Sequence, residues 1–354
     1  MKIMLFAYLD NNIGDDLMLK LLSERFPAHE FYYYTSNTVV LNTLSQFKNF
    51  VARPPSLRQQ DIDVVDAVLS IGGSIFNDLN TLRGKLARIR KILFIAKARR
   101  KGKRIATVGC NLGPYKDKLG WYLTTFELKL NDLVTVRDRS SFDLLSTGSF
   151  KNFYMADDIV YSLEVPINDE SRYGLGISAF RSTHSGENNY KNYRALAVVI
   201  DAYIEKTNKL VKIFAFDSEH ENDTSAALHI LNLAKHKKNI EIVPYLGDIE
   251  LFVNKFNQCE HHIAIRFHSA ILSALMKIPF YPISYSNKME ALIEENYPEF
   301  KILNISELDI EQIDTSVLLE KLLDSSKLCH TNNMTNSKIH FEKLEILWSK
   351  DDNV

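Results

Sequence analysis

Residues Ile263 to Tyr285 read IAIRFHSAILSALMKIPFYPISY. Ile263–Ile265 is a short apolar run, Ala270–Met276 is apolar over two helical turns, and Phe280–Ser284 is a second apolar run. A strand, a helix and a strand with so little polar alternation form the pattern of a parallel sheet covered on both faces. The departure lies at the first junction, where Arg266, His268 and Ser269 stand together. Ligands of open parallel sheets bind beyond the carboxyl ends of the strands. A fixed charge and a titratable ring at such an end therefore mark a candidate site.

The same alternation runs outward through most of the chain. Strands are expected near Lys2–Tyr8, Glu30–Thr35, Ala67–Gly73, Arg104–Cys110 and Leu133–Asp138. Helices are expected at Asp15–Phe26, Leu79–Arg100, Asp117–Leu130 and Ser140–Leu145. Strands alternating with helices imply right-handed crossovers and mainly parallel sheets. The polar stretch Ser162–Arg172, with Pro166 and Asn168, reads as a linker, after which the pattern restarts at Tyr173–Ala179. The expected organisation is α/β: a first domain over 1–165, a second over 166–330, and a C-terminal helix in 331–354 packing back on the first domain. Two such domains in tandem leave a cleft between them.

A chain of 354 residues suits two ordinary cores. Its 45% apolar and 25% charged content is that of a globular protein, and a net charge of -1 gives no global pull toward nucleic acid. Three scattered cysteines, Cys110, Cys259 and Cys329, lack metal spacing and read as reduced thiols of a cytoplasmic protein. The N-terminal run is too short and too soon acidic for a signal peptide. His261 and His262 have no carboxylate or thiol partner at ligand spacing, so no metal site is expected.

The turns after the strands supply the remaining candidates. In Asp10–Asp16, Gly14 allows close approach of a ligand, Asp15 or Asp16 suits a helix cap, and Asn12 is left over as a binding amide. Gly72 and Gly73 with Ser74 expose backbone N–H groups before a helix, either as an anion cradle or simply as a close-packed turn. Asn111, in the Gly109–Pro114 loop, suits a hydroxylated substrate, and a rigid turn is the plainer reading. Arg137 and Asp138 read as a structural ion pair. Arg181 follows the first strand of the second domain and Arg266 a later one, so the two forks could converge on one carboxylate or phosphate. The plainer reading has Arg266 holding a buried carboxylate such as Asp157. His268, at a helix N-terminus where the dipole favours the neutral ring, suits proton exchange. In the helix within Leu82–Arg104, an apolar stripe of Leu82, Leu86, Ile89, Leu93 and Ala96 lies among Arg83, Arg90, Lys97, Arg99 and Arg100. The plain reading is a core-packed helix with a solvated basic face; the sharper one is a patch resting peripherally on an anionic membrane.

Taken in order, NIGDDLM (Asn12–Met18), SIGGSIFND (Ser70–Asp78), LVTVRDRSSFDLL (Leu133–Leu145) and RFHSAILSALMKIPFYPISYSNK (Arg266–Lys288) resemble the polysaccharide pyruvyl transferase family. Asn111–Tyr115 and Ala156–Asp157 fit as well. The resemblance implies two Rossmann-like domains facing across a cleft in a GT-B-like arrangement, with the acceptor on the first domain and the donor on the second. It implies phosphoenolpyruvate as co-substrate, no separate cofactor, and a cell-surface sugar, lipid-linked or free, as acceptor. The family's Arg-Leu-His element falls on Arg266, Phe267 and His268, with Phe in place of Leu, and a further donor arginine on Arg181. His268 is then the expected acid or base and Arg266 its catalytic partner, with Phe267, Ser269 and Lys288 lining the donor. Asn12, Gly14, Asp15, Gly72, Gly73 and Asn111 fall to substrate binding; two glycines followed by Ser74 depart from the family's glycine turn. The competing readings are a GT-B glycosyltransferase using a nucleotide sugar and a silent glycan-binding protein.

Overall fold

The computed structural model describes residues 1–76, 81–115, 117–165, 172–181, 186–219, 221–298, 300–308, 314–323 and 336–349. Pro166 and Asn168 of the expected linker, Asp78 of the glycine turn, and Cys329 lie outside the described residues. Two compact units emerge. One comprises Met1–Leu9, Asp15–Ser162 and Met334–Val354; the other comprises Asp10–Gly14 and Leu163–Asn333.

The first unit is a seven-stranded sheet of β1 (Lys2–Ala7), β2 (Glu30–Tyr34), β3 (Phe50–Arg53), β4 (Ala67–Ile71), β5 (Arg104–Cys110), β6 (Leu133–Val136) and β7 (Phe153–Met155). Its order is β3-β2-β1-β4-β5-β6-β7, and every pair is parallel. Between the strands run α1 (Ile13–Arg25), α2 (Thr38–Leu44), α3 (Arg58–Asp61), α4 (Leu82–Arg100), α5 (Lys118–Lys129) and α6 (Arg139–Ser146). β4, AVLSI, is buried along its whole length, as a central strand covered on both faces must be. The edge strands β3 and β7 carry no long apolar run, which hides them from a reading by hydrophobicity.

The second unit repeats the plan. β8 (Leu175–Ser178), β9 (Val211–Ala215), β10 (Ile240–Pro244), β11 (His261–Ala264), β12 (Phe280–Ser284) and β13 (Leu303–Asn304) form a parallel sheet of order β10-β9-β8-β11-β12-β13. Its helices are α7 (Gly186–Thr207), α8 (Asp223–Leu233), α9 (Ile249–Asn257), α10 (Phe267–Leu275), α11 (Asn287–Asn296) and α12 (Thr315–Leu323). Ile177, Ile213, Ile263 and Ile283 form the middle of its core with Ile200 and Tyr203 of α7. Each fully buried side chain of this size contributes roughly 1.5–3 kcal/mol. His262 belongs to this core: its ring stacks on Phe256 at 3.8 Å and its Nε2 donates to the Phe256 carbonyl at 3.2 Å.

The final helix, α13 (Ile339–Ser349), groups with the first unit. His340 lies buried there between two strand ends, its Nε2 donating to the Asp157 carbonyl at 2.7 Å and its Nδ1 2.6 Å from Thr135 Oγ1. Thr135 Oγ1 accepts from Gly109 N–H at 3.1 Å, so the hydroxyl proton points to the ring. Cys110 and Cys259 are buried, and burial pushes both thiols up to about 12.

α4 reverses the orientation expected from its apolar stripe. Its buried side is Arg88, Ile92, Phe94, Ile95 and Ala98, while Leu82, Leu86, Ile89 and Leu93 face outward. The cause is Glu127 of α5, which is fully buried and requires cations. Arg88 meets it at 3.0 Å and Lys91 at 2.8 Å, so the inner side of α4 carries charge.

Candidate active site

Both sheets have the doubly wound order, with the direction of winding reversing between β1 and β4 in one unit and between β8 and β11 in the other. Such reversals open a crevice beyond the carboxyl ends of the two strands, and ligands of this architecture bind there. In the second unit the residues at that point are Ser178, ending β8, and Ile265–His268, following β11.

Ser178 fixes the turn. Its Oγ accepts from the backbone N–H groups of Ile265 at 2.7 Å and Arg266 at 3.0 Å, and it lies 2.9 Å from Ser269 Oγ. Ser269 Oγ in turn donates to the Arg266 carbonyl at 2.5 Å. Ser269 is fully buried and its hydroxyl is committed inside the turn.

Arg266, 5% exposed, is committed as well. Its Nε donates to Asp223 Oδ2 at 2.9 Å, its Nη2 to Asp223 Oδ1 and its Nη1 to Glu221. The guanidinium lies 4.8 Å from the Phe180 ring centre, and the Phe180 and Tyr285 rings stack at 3.8 Å. Burial opposes its charge, but Asp223 and Glu221 outweigh burial and hold the pKa well above the ordinary arginine value. Burial likewise pushes Asp223 up to about 6, against the pull of Arg266. The plainer reading of Arg266 as the holder of a buried carboxylate describes its contacts, with Asp223 in the place given to Asp157. Asp157 is in the other unit, its carbonyl bound to His340.

His268 is the second residue of α10, half-buried, with its ring edge-to-face to Phe267 at 5.3 Å. The Asp10–Gly14 segment brings Gly14 beside it. Asn11 Nδ2 donates to the Tyr245 carbonyl at 3.4 Å, Ile13 N–H to the Phe216 carbonyl at 3.1 Å, and Asn12 bridges Asp217. This seats Gly14 so near the imidazole that a Cβ there would fall 1.8 Å from His268 Nδ1. Asn12, not Asp15 or Asp16, caps α1: its Oδ1 accepts from Gly14 N–H at 3.0 Å, and the two aspartates follow in the first turn. Arg181 is exposed just past β8, and Lys288 is half-buried in the first turn of α11. The structure thus joins Asn12, Gly14, Phe267, His268 and Ser269 around one turn.

The remaining candidates lie in the first unit. Gly72, at φ +133°, follows β4, and a Cβ there would lie 3.6 Å from Asp15 Oδ1. Gly73 leaves room for a buried arginine, since a Cβ would stand 2.3 Å from the Arg137 guanidinium. Arg137 pairs with Asp158 at 2.6 Å and donates to Asn111 Oδ1 at 2.9 Å, while Asn111 N–H donates to the Gly73 carbonyl at 2.8 Å. Asp138, read as the partner of Arg137, instead caps α6 through Ser141 N–H at 2.8 Å. Sequence reasoning missed Ser178, Glu221, Asp223 and Asp158. A buried arginine signals that a carboxylate must meet it, but no spacing says which one. Among the described residues no group of three or more His, Cys, Asp or Glu could hold a metal ion.

Solved structures share this fold at low identity. MnaA of S. aureus, in a co-structure with UDP, is 16% identical with a TM-score of 0.62, over 99% of this chain and 98% of that one. The UDP-GlcNAc 2-epimerase of Methanocaldococcus jannaschii, in complex with UDP-GlcNAc and UDP, is 14% identical with a TM-score of 0.59, over 99% and 100%. HepE of Anabaena, in complex with UDP and glucose, is 12% identical with a TM-score of 0.56, over 98% and 97%. These likenesses define a GT-B-like architecture. The family assignment comes from a different comparison, in which a family model matches residues 12–287, from the Asn12 cap through the Arg266–His268 turn to the start of α11. With that match covering well over half of its length, the chain belongs to the polysaccharide pyruvyl transferase family, whose members are enzymes.

Proposed function

We propose that the protein transfers the pyruvyl group of phosphoenolpyruvate to a hydroxylated sugar of a cell-surface polysaccharide or its precursor, with His268 as the proton-transferring group. The observation that carries this reading is the seating of His268 against Gly14 at the point where the winding of the second sheet reverses. An imidazole there is placed for acid–base work, and the N-terminus of α10 favours anionic groups.

In this scheme His268 delivers a proton to the methylene carbon of phosphoenolpyruvate, and C2 becomes an oxocarbenium-like centre. A sugar hydroxyl adds to C2 and gives up its proton to the basic ring. A second hydroxyl then displaces phosphate by breaking the C2–O bond, and its proton leaves with the phosphate. The products are a cyclic pyruvate ketal and inorganic phosphate. Arg266 acts as a positioning residue, because Asp223 and Glu221 already engage a donor on each of its three nitrogens. Arg181 and Lys288 are the cations that suit the donor's carboxylate and phosphate. Gly72, Gly73, Asp15 and Asn111 form the corresponding switch-point cluster of the first unit and are assigned to the acceptor.

The test is phosphate release from phosphoenolpyruvate against a panel of galactosides, mannosides and N-acetylhexosamines, free and lipid-linked. Release that depends on an acceptor and is lost in His268→Asn supports the reading; equal release by the variant rejects the assignment of His268. The second reading, a glycosyltransferase acting on a nucleotide sugar, draws on the UDP named in the related structures. A thermal shift with UDP-sugars and none with phosphoenolpyruvate would favour it.

A further inference from the structure

The outward face of α4 and α5 is an apolar surface that the reaction does not use. On α4, Leu82, Leu86, Ile89 and Leu93 share one side of the helix. All four are exposed, Leu82 by 75% and Leu93 by 65%. On α5, Leu119, Tyr122 and Phe126 do the same, with Tyr122 at 64% and Phe126 at 57%. β4–α4–β5 and β5–α5–β6 step the same way across the sheet, so right-handed crossovers put both helices on one face of it. Each turns its buried side inward, through Ile92, Ile95 and Ala98 in α4 and Thr124 and Leu128 in α5. The two are tied side by side by Lys85–Asp117, Arg88–Glu127 and Lys91–Glu127. Their stripes therefore share one outer surface. Of the seventeen large apolar residues exposed among the described residues, seven lie on these two helices. That concentration exceeds the scattered apolar exposure of an ordinary surface.

The charges beside the stripes indicate what covers them. Arg83, Arg90 and Lys97 recur at every seventh position alongside the α4 stripe, Arg100 stands at its end, and all four are exposed. Arg83, Arg90 and Arg100 take part in no salt bridge among the described residues. α4 contains no Asp or Glu, and the one acid within α5, Glu127, is buried against Arg88 and Lys91. A second copy laid face to face would bring like charges together. An anionic bilayer complements both features, since its headgroup boundary accepts Leu, Tyr and Phe and its phosphates attract arginine.

We propose that this face docks the protein peripherally on an anionic phospholipid bilayer. Leu82, Leu86, Leu93, Tyr122 and Phe126 enter the headgroup region, and Arg83, Arg90 and Lys97 meet lipid phosphates. No described helix is long and apolar enough to cross a membrane. The inference is independent of the pyruvyl-transfer reading.

Co-sedimentation of the full chain with vesicles tests it. Binding is expected to phosphatidylcholine vesicles containing phosphatidylglycerol, to weaken sharply with phosphatidylcholine alone, and to fall with added salt. Arg83→Gln with Arg90→Gln removes two surface charges and should weaken binding roughly thirtyfold, at about 1 kcal/mol per charge. Leu86→Ser with Phe126→Ser should abolish it with an unchanged melting temperature, because both positions are exposed. Equal binding to both vesicle types, no binding, or binding unaffected by either double variant overturns the proposal. Self-association that Leu86→Ser with Phe126→Ser abolishes, without vesicle binding, assigns the face to a second copy and overturns it as well.

Discussion

His268 and Arg266 stand two positions apart, yet their surroundings give them different work. Arg266 is surrounded by carboxylates and aromatic rings, so truncating it strands Asp223 in the core. Arg266→Ala should cost about 3–5 kcal/mol of stability, read as a lowered denaturant midpoint. Lost turnover in that variant would not separate catalysis from folding. His268→Asn is the discriminating change. It should lower kcat roughly 10²–10⁴-fold with little change in melting temperature. Gly14→Ala tests the seat of the ring: its methyl would occupy the place of Nδ1, so the imidazole must move. A misplacement of that size should lower kcat/KM for phosphoenolpyruvate by about 100-fold, and an unchanged value would mean the ring does not act from this position. At this scale the sequence disclosed which residues are unusual but not what they touch. The Arg266–Asp223 pair spans 43 positions, and only the folded sheet brings those residues together.

The turn between β11 and α10 is held by one hydroxyl on a neighbouring strand. Ser178→Ala would leave two buried N–H groups without an acceptor, at about 1–3 kcal/mol for each group lost. Ser178→Thr retains the hydroxyl and should retain more of the stability. Chemical denaturation of the two variants checks the order, and equal midpoints would show that the hydroxyl does not hold the turn. The central strands were legible because both their faces are buried. The edge strands β3 and β7 were not, since short half-buried runs carry no distinct period. α4 misled for an electrostatic reason: its regular leucine spacing identified an apolar side, but the buried Glu127 on α5 draws Arg88 and Lys91 inward, and Ile92, Ile95 and Ala98 on that side are buried with them.

Across the whole chain, two buried histidines bind stability to pH. Burial pushes His340 down to about 4 and His262 to about 3, from an ordinary 6.5. The folded state therefore holds fewer protons than the unfolded chain below about pH 6.5. Stability present above that pH is lost as the pH falls from about 6.5 toward 4 for His340 and toward 3 for His262, at about 1.4 kcal/mol per pH unit for each ring. Asp223, raised to about 6, acts in the opposite sense between that value and its ordinary 3.8, and the two rings outweigh it. Melting temperature should fall between pH 7.5 and pH 5; a rise would contradict this account. The two-unit α/β plan was legible from strand–helix alternation, whereas the grouping of Asp10–Gly14 with the second unit was not, because it rests on contacts to Phe216, Asp217 and Tyr245. The most direct test of the central claim is acceptor-dependent phosphate release from phosphoenolpyruvate by the purified protein and its His268→Asn variant. The account predicts release and a ketal-bearing sugar with the native protein and at least a hundredfold loss in the variant. Turnover of a nucleotide sugar with phosphoenolpyruvate inert, or undiminished release by the variant, would contradict it.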